Sequence, residues 1–126
     1  MTLQDFARSE YVSLTTYRKD GTPVATPVWA GARDGVLYVW TRSDAGKVKR
    51  LRRDGRVRVT VCDVRGRIAD GAPSAEGTAR LLDEEGTAAV RAVLARKYGW
   101  KFWLVDRPAA LVRLGRRPHT GIAVTF

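Results

Sequence analysis

The sequence predicts a small antiparallel β-barrel within a single domain spanning residues 1–126. Three observations carry that expectation: six short segments with strand chemistry, turn dipeptides at hairpin spacing between them, and few helical patterns. At 126 residues the chain has length for one core and not two. Such a chain hides roughly two-thirds of its unfolded surface. With 44% hydrophobic and 29% charged residues, it has the apolar content to fill that core and is not a disordered tail.

In chain order, Thr2–Ser9 reads as a short helix, and Tyr11–Tyr17, rich in Thr, Val and Tyr, as the first strand. Lys19-Asp20-Gly21 is a tight turn before a strand over Pro23–Ala32, where Pro23 and Pro27 require one side to be unpaired. Arg33-Asp34-Gly35 turns into Val36–Thr41, and Ser43–Gly46 leads to a short helix over Lys47–Arg53. Val57–Asp63 alternates, with Val57, Val59 and Val61 inward and Arg58, Thr60 and Cys62 outward. Arg65–Ala75 reads as loop and Glu76–Leu82 as strand. Asp83-Glu84-Glu85 starts a helix, with acids where its dipole favours them, and Val90, Val93, Leu94 and Tyr98 follow at helical spacing up to Gly99. A Trp-rich segment covers Trp100–Arg116, His119 reads as loop, and Gly121–Phe126 supplies the last strand.

Composition excludes several chemistries. One Cys and one His allow neither an internal disulfide nor a Cys/His zinc cage, and no metal site is expected. Cys62, in an alternating strand, reads as packing. No nucleophile elbow, dinucleotide fingerprint or paired apolar carboxylates occur, so no catalytic side chain is assigned. An enzyme built on this chain needs a cofactor. No basic segment followed by an apolar run opens the sequence, and no stretch reaches the ~18 apolar residues of a membrane span. The expected location is the cytoplasm, without integral membrane association.

The net charge is +10, from 23 basic residues, of which 18 are Arg and 5 Lys, against 13 acids. Residues 42–58 hold eight basic side chains and two acids, so more than half of the excess lies in one stretch. A solvated helix face, nucleic-acid binding and a small anionic ligand at a helix start all remain open. Local detail favours the small anion. Ser43 can cap the helix, Gly46 allows close approach to the backbone, and Lys47 and Arg50 are wheel neighbours while Val48 and Leu51 mark a separate apolar side. No long helix is present to enter a groove. Pro27, Val28 and Trp29, on a strand left unpaired by its prolines, offer either a surface for a planar ring or interface packing.

The runs Tyr11-Val12-Ser13-Leu14-Thr15-Thr16, Lys19-Asp20-Gly21-Thr22-Pro23 and Thr26-Pro27-Val28-Trp29 resemble the pyridoxamine 5′-phosphate oxidase-like split β-barrels. Thr41 through Gly46-Lys47-Val48-Lys49-Arg50-Leu51-Arg52-Arg53-Asp54 does so too. Within that class the chain is most similar to the deazaflavin (coenzyme F420)-dependent oxidoreductases of actinobacteria. The resemblance implies a six-stranded split barrel of the FMN-binding type, homodimeric, with cofactor clefts at the interface. Pro27, Val28 and Trp29 then line the ring, and Thr41 and Ser43 face the phosphate. Lys47 matches the phosphate-binding lysine, flanked by Gly46 and Val48, with Lys49 and Arg50 following. Arg52, Arg53 and Arg56 lie where cations would meet an oligoglutamate tail. FMN oxidases of the class tend to carry Arg directly before that lysine. Gly46 stands there instead, which leans toward F420 with FMN as the alternative.

The implied activity is hydride transfer between reduced F420 and an unsaturated or electron-poor small molecule. A non-catalytic cofactor-sequestering protein is the alternative from another class. Nucleic acid is not an expected partner. The Trp-rich segment 100–114 is expected to cover the ring or substrate pocket, or to pack at a dimer interface; a weak membrane-surface association is a third option.

Overall fold

Strand-forming residues between Gly-containing turns set the framework. In the computed structural model, residues 2–43, 45–99 and 119–126 are described. The chain runs α1 (Thr2–Arg8), β1 (Tyr11–Tyr17), β2 (Pro23–Val28), β3 (Ala30–Arg33), β4 (Val36–Arg42), α2 (Gly46–Arg53), β5 (Arg56–Cys62), β6 (Ser74–Leu81), α3 (Glu84–Tyr98) and β7 (His119–Thr125). Every strand pairing is antiparallel. The Asp34–Gly35 turn has φ of 53° and 79°, the left-handed geometry that a two-residue hairpin needs and that Asp-Gly accommodates.

The described residues form seven strands where the sequence predicts six. The expected strand Pro23–Ala32 divides at Trp29 into β2 and β3. Sheet order β2-β1-β5-β6-β7-β4-β3 places those halves at opposite edges of one sheet. Because a single residue separates them, the sheet must roll until its edges meet. Pro27 has no N–H to donate and sits opposite Ser13 of β1, on an edge strand that needs only one partner. The mainly antiparallel β fold with few helices therefore stands, with its second strand bent and shared between edges.

Alternation decides what lies inside. Val12 and Leu14 of β1, Leu37 and Val39 of β4, Val57 and Val59 of β5, and Ile122 and Val124 of β7 form the interior, each at most 1% exposed. Burying each such side chain contributes about 1.5–3 kcal/mol. Phe6 of α1 and Leu51 of α2 join the same cluster. On the outer face, Val90, Leu94 and Tyr98 of α3 pack over Trp29, Tyr38 and Trp40. The first turn of α3 is capped by Asp83, whose carboxylate accepts from the Gly86 N–H at 2.8 Å. Gly31 permits close docking: a Cβ there would lie 2.9 Å from Val93 Cγ1.

Three local expectations are corrected. Thr60, on the face opposite Val59, is buried rather than open to solvent, its hydroxyl 2.9 Å from that of Ser74. Strand β6 begins at Ser74, inside the expected loop. His119 begins β7 rather than lying in a loop, because pairing with Arg42 extends the ladder beyond the alternating run. The Trp-rich segment Trp100–Arg116 lies outside the described residues.

Candidate functional site

A cleft of about 660 Å³ opens where the β2–β3 bend, the end of β4 and the start of α2 converge. This volume falls within the usual range for small-molecule sites. Pro27, Val28 and Trp29 form one wall; Trp40, Thr41 and Arg42 form another, with His119 stacked on Trp40 at 3.8 Å. Leu94 of α3 closes the back, and Lys47 enters from the first turn of α2. The strand period places Trp40 on the outer face under α3, while Thr41 points inward and is buried.

Lys47 carries the electrostatics of the cleft. It is half-buried, and no ion pair holds it among the described residues. Burial, and secondarily the charge of Arg50, hold its ammonium below the ordinary lysine pKa. A partly desolvated cation with no carboxylate partner is suited to an anion. Beside it, the Arg50 Nε–H donates to Thr16 Oγ1 at 2.6 Å, and Arg18 and Arg53 add like charge around that guanidinium.

The Trp29 wall is held from behind by α3. The Trp29 ring stacks on Tyr98 at 4.3 Å with planes 9° apart. The Tyr98 hydroxyl donates to the Glu10 carbonyl at 2.7 Å and accepts from the Ala30 N–H at 3.1 Å. Lys97 Nζ donates to the carbonyls of Ser9 (2.8 Å) and Ala30. Burial pushes Lys97 down to about 8 against Glu10, and pushes Tyr98 well above its ordinary value. Between pH 8 and 10.5 the native chain has released the Lys97 proton that the unfolded chain still holds, so stability rises with pH. Above pH 10 the unfolded chain loses the Tyr98 proton first, and stability falls. The thermal unfolding midpoint is therefore expected to climb from about pH 8 and turn over above 10. A profile that declines steadily across that window contradicts this arrangement.

The pyridoxamine 5′-phosphate oxidase sequence profile matches residues 2–121, nearly the whole chain. The chain belongs to the pyridoxamine 5′-phosphate oxidase family. No curated protein matches it. Among solved structures, it is similar to a conserved hypothetical protein of Mycobacterium tuberculosis, with TM-score 0.69 and 26% identity over 96% of this chain and 76% of that one. HutZ, the heme storage protein of Vibrio cholerae, matches at TM-score 0.69 and 14% identity, over 98% of this chain and 85% of that one. A FAD-binding protein of Mesorhizobium loti matches at 0.64 and 17%, over 98% and 84%. The last two likenesses concern fold alone.

In this member of the pyridoxamine 5′-phosphate oxidase family, the cleft gathers Pro27, Val28, Trp29, Thr41 and Lys47 of the predicted site residues. It does not gather the others. Val48 is fully buried, since the apolar side of α2 faces inward, and Lys49 is exposed. Ser43 does not cap α2: the N-cap is Ala45, and the Ser43 hydroxyl lies 2.5 Å from that of Thr120. Beside Gly46 the space holds a guanidinium, for a Cβ there would lie 2.9 Å from Arg50 Nη1. Arg53 donates to the Tyr17 carbonyl at 3.0 Å, along the end of β1. Sequence reasoning missed His119, Leu94 and Tyr98 in this region. The helical spacing of Leu94 and Tyr98 was visible, but not which strands it would cover.

Among the described residues, no helix is long and apolar enough to cross a membrane. Burial, then the charge of Asp63, push the Cys62 thiol up, which disfavours a thiolate there.

Proposed function

We propose that the cleft binds a phosphorylated flavin-type coenzyme, F420 on the first reading, and that the protein is an oxidoreductase acting on an unsaturated or electron-poor small molecule. The observation that carries this reading is Lys47, a half-buried cation with no carboxylate partner among the described residues, in a cleft walled by Pro27, Val28, Trp29 and Trp40. These residues fit the group: an apolar and aromatic wall suits a planar ring, and a partly buried cation at a helix start suits a phosphate. When bound, the coenzyme would supply the hydride chemistry. The chain's own residues divide the remaining work. Lys47 and the first turn of α2 hold the anionic end, Trp29 and Val28 orient the ring, and Leu94 with the indoles excludes water. No side chain is assigned a proton-transfer role. A homodimer and a location in the cytoplasm belong to the same proposal.

FMN is the second reading, and Arg50 favours it. The cation that FMN oxidases of the class tend to place before the lysine is supplied here by Arg50, whose guanidinium occupies the space beside Gly46. Sequestration without turnover is the remaining reading. Fold-level neighbours described as heme storage and FAD-binding proteins are compatible with it. The test is titration of purified protein with F420 and with FMN, followed by fluorescence, then reduction assays on electron-poor acceptors. One coenzyme is expected to bind at low micromolar concentration and to be turned over. Binding of neither overturns the proposal; binding without turnover on any acceptor selects sequestration.

A further inference from the structure

We propose that Tyr98 is a positioning residue for the ring-binding wall, a role that rests on the coenzyme reading above. Trp29 is the single residue between β2 and β3, at the point where the chain leaves one edge of the sheet for the other. Neither strand ladder includes it, so its orientation must be fixed by something else. Tyr98 supplies that restraint twice. Its ring lies flat against the indole at 4.3 Å and 9°. Its hydroxyl holds the backbone next to Trp29 through the Ala30 N–H at 3.1 Å, with the Ala30 carbonyl also at 3.1 Å. The hydroxyl is in turn tied to the Glu10 carbonyl at 2.7 Å, so the bend is anchored to the start of β1. Lys97, one residue earlier on α3, adds a donor to the Ala30 carbonyl. The C-terminal turn of α3 thus sets the position of a cleft wall from outside the cleft, since Tyr98 does not line it.

The closing experiment separates this role from the coenzyme reading. Acrylamide quenching of Trp29 is measured without coenzyme as the difference between chains with and without Trp29→Phe, in wild-type and Tyr98→Phe backgrounds, well below the unfolding midpoint. F420, FMN, riboflavin and inorganic phosphate are then titrated onto wild type, Tyr98→Phe and Lys47→Ala. In Tyr98→Phe, which keeps the stacked ring and removes the hydroxyl's ties to Ala30 and Glu10, Trp29 quenching is expected to rise. Affinity for the ring-bearing probes is expected to fall about tenfold, while that for inorganic phosphate holds. In Lys47→Ala, affinity for inorganic phosphate, F420 and FMN is expected to fall, while riboflavin affinity and Trp29 quenching hold. Unaltered Trp29 quenching in Tyr98→Phe overturns the positioning role whatever binds. If wild type binds neither coenzyme, the functional reading falls and the ring role falls with it, a failure recognised because Trp29 still responds to Tyr98. Should Tyr98→Phe not fold, amide hydrogen exchange at Ala30 in wild type is the second readout: protection supports the tie to Tyr98, and exchange at the rate of an open amide overturns it.

Discussion

Lys47→Ala is expected to weaken binding of the coenzyme's anionic end by roughly 10- to 150-fold without lowering the unfolding midpoint. The affinity loss follows from removing a charge-assisted contact worth about 1.5–3 kcal/mol. The stability result follows from the opposite side of the same geometry. With Lys47 held below its ordinary pKa by burial and by Arg50, its charged form is disfavoured in the folded chain and carries no compensating partner among the described residues. Removing it relieves that cost, and Lys47→Met, which keeps the apolar stem, is expected to raise the midpoint. Titration and thermal unfolding of the same preparations check both halves. A variant that binds the coenzyme as tightly as wild type while melting lower would make Lys47 a structural residue.

Leu94→Ala is expected to cost about 2–5 kcal/mol, the range for deleting a fully buried leucine. Leu94 has no exposed surface, and it lies at the centre of the α3 cluster between Val90 and Tyr98. Its side chain packs close to Gly31 and also closes the back of the cleft. The substitution opens a void behind the Trp29 wall rather than removing a ligand contact from an exposed rim. A fall in midpoint on the order of 10 °C follows for a chain of this size. A shift under about 3 °C would show that α3 is not tightly docked on the outer face of the sheet.

Local chemistry made the framework legible. Alternation marked Val57–Val61, Asp34–Gly35 marked a hairpin, and the acids at 83–85 marked the start of α3. The basic stretch led to Lys47, and the prolines of β2 correctly implied a strand lacking one partner. Non-local geometry was not legible. Nothing near Trp29 in sequence says that the strand changes sheet edges there, because that depends on how far the whole sheet curls. Ser43 has the chemistry of a cap, yet Thr120, distant in sequence, takes its hydroxyl instead. Val48 is adjacent to Lys47 in sequence, but the turn of about 100° per helical residue carries it to the buried side of α2.

The position of β7 in the sheet, between β6 and β4, bears on how the protein is made. As the chain leaves the ribosome, the β1–β2 and β3–β4 hairpins can form early from neighbouring residues. Strands β4 and β6 then each wait with one bare edge until residues 119–125 emerge. The barrel can close only once residues 119–125 have been made, and until then both edges are open to pairing with other chains. Premature termination before His119 would therefore yield an aggregation-prone fragment rather than a smaller working barrel.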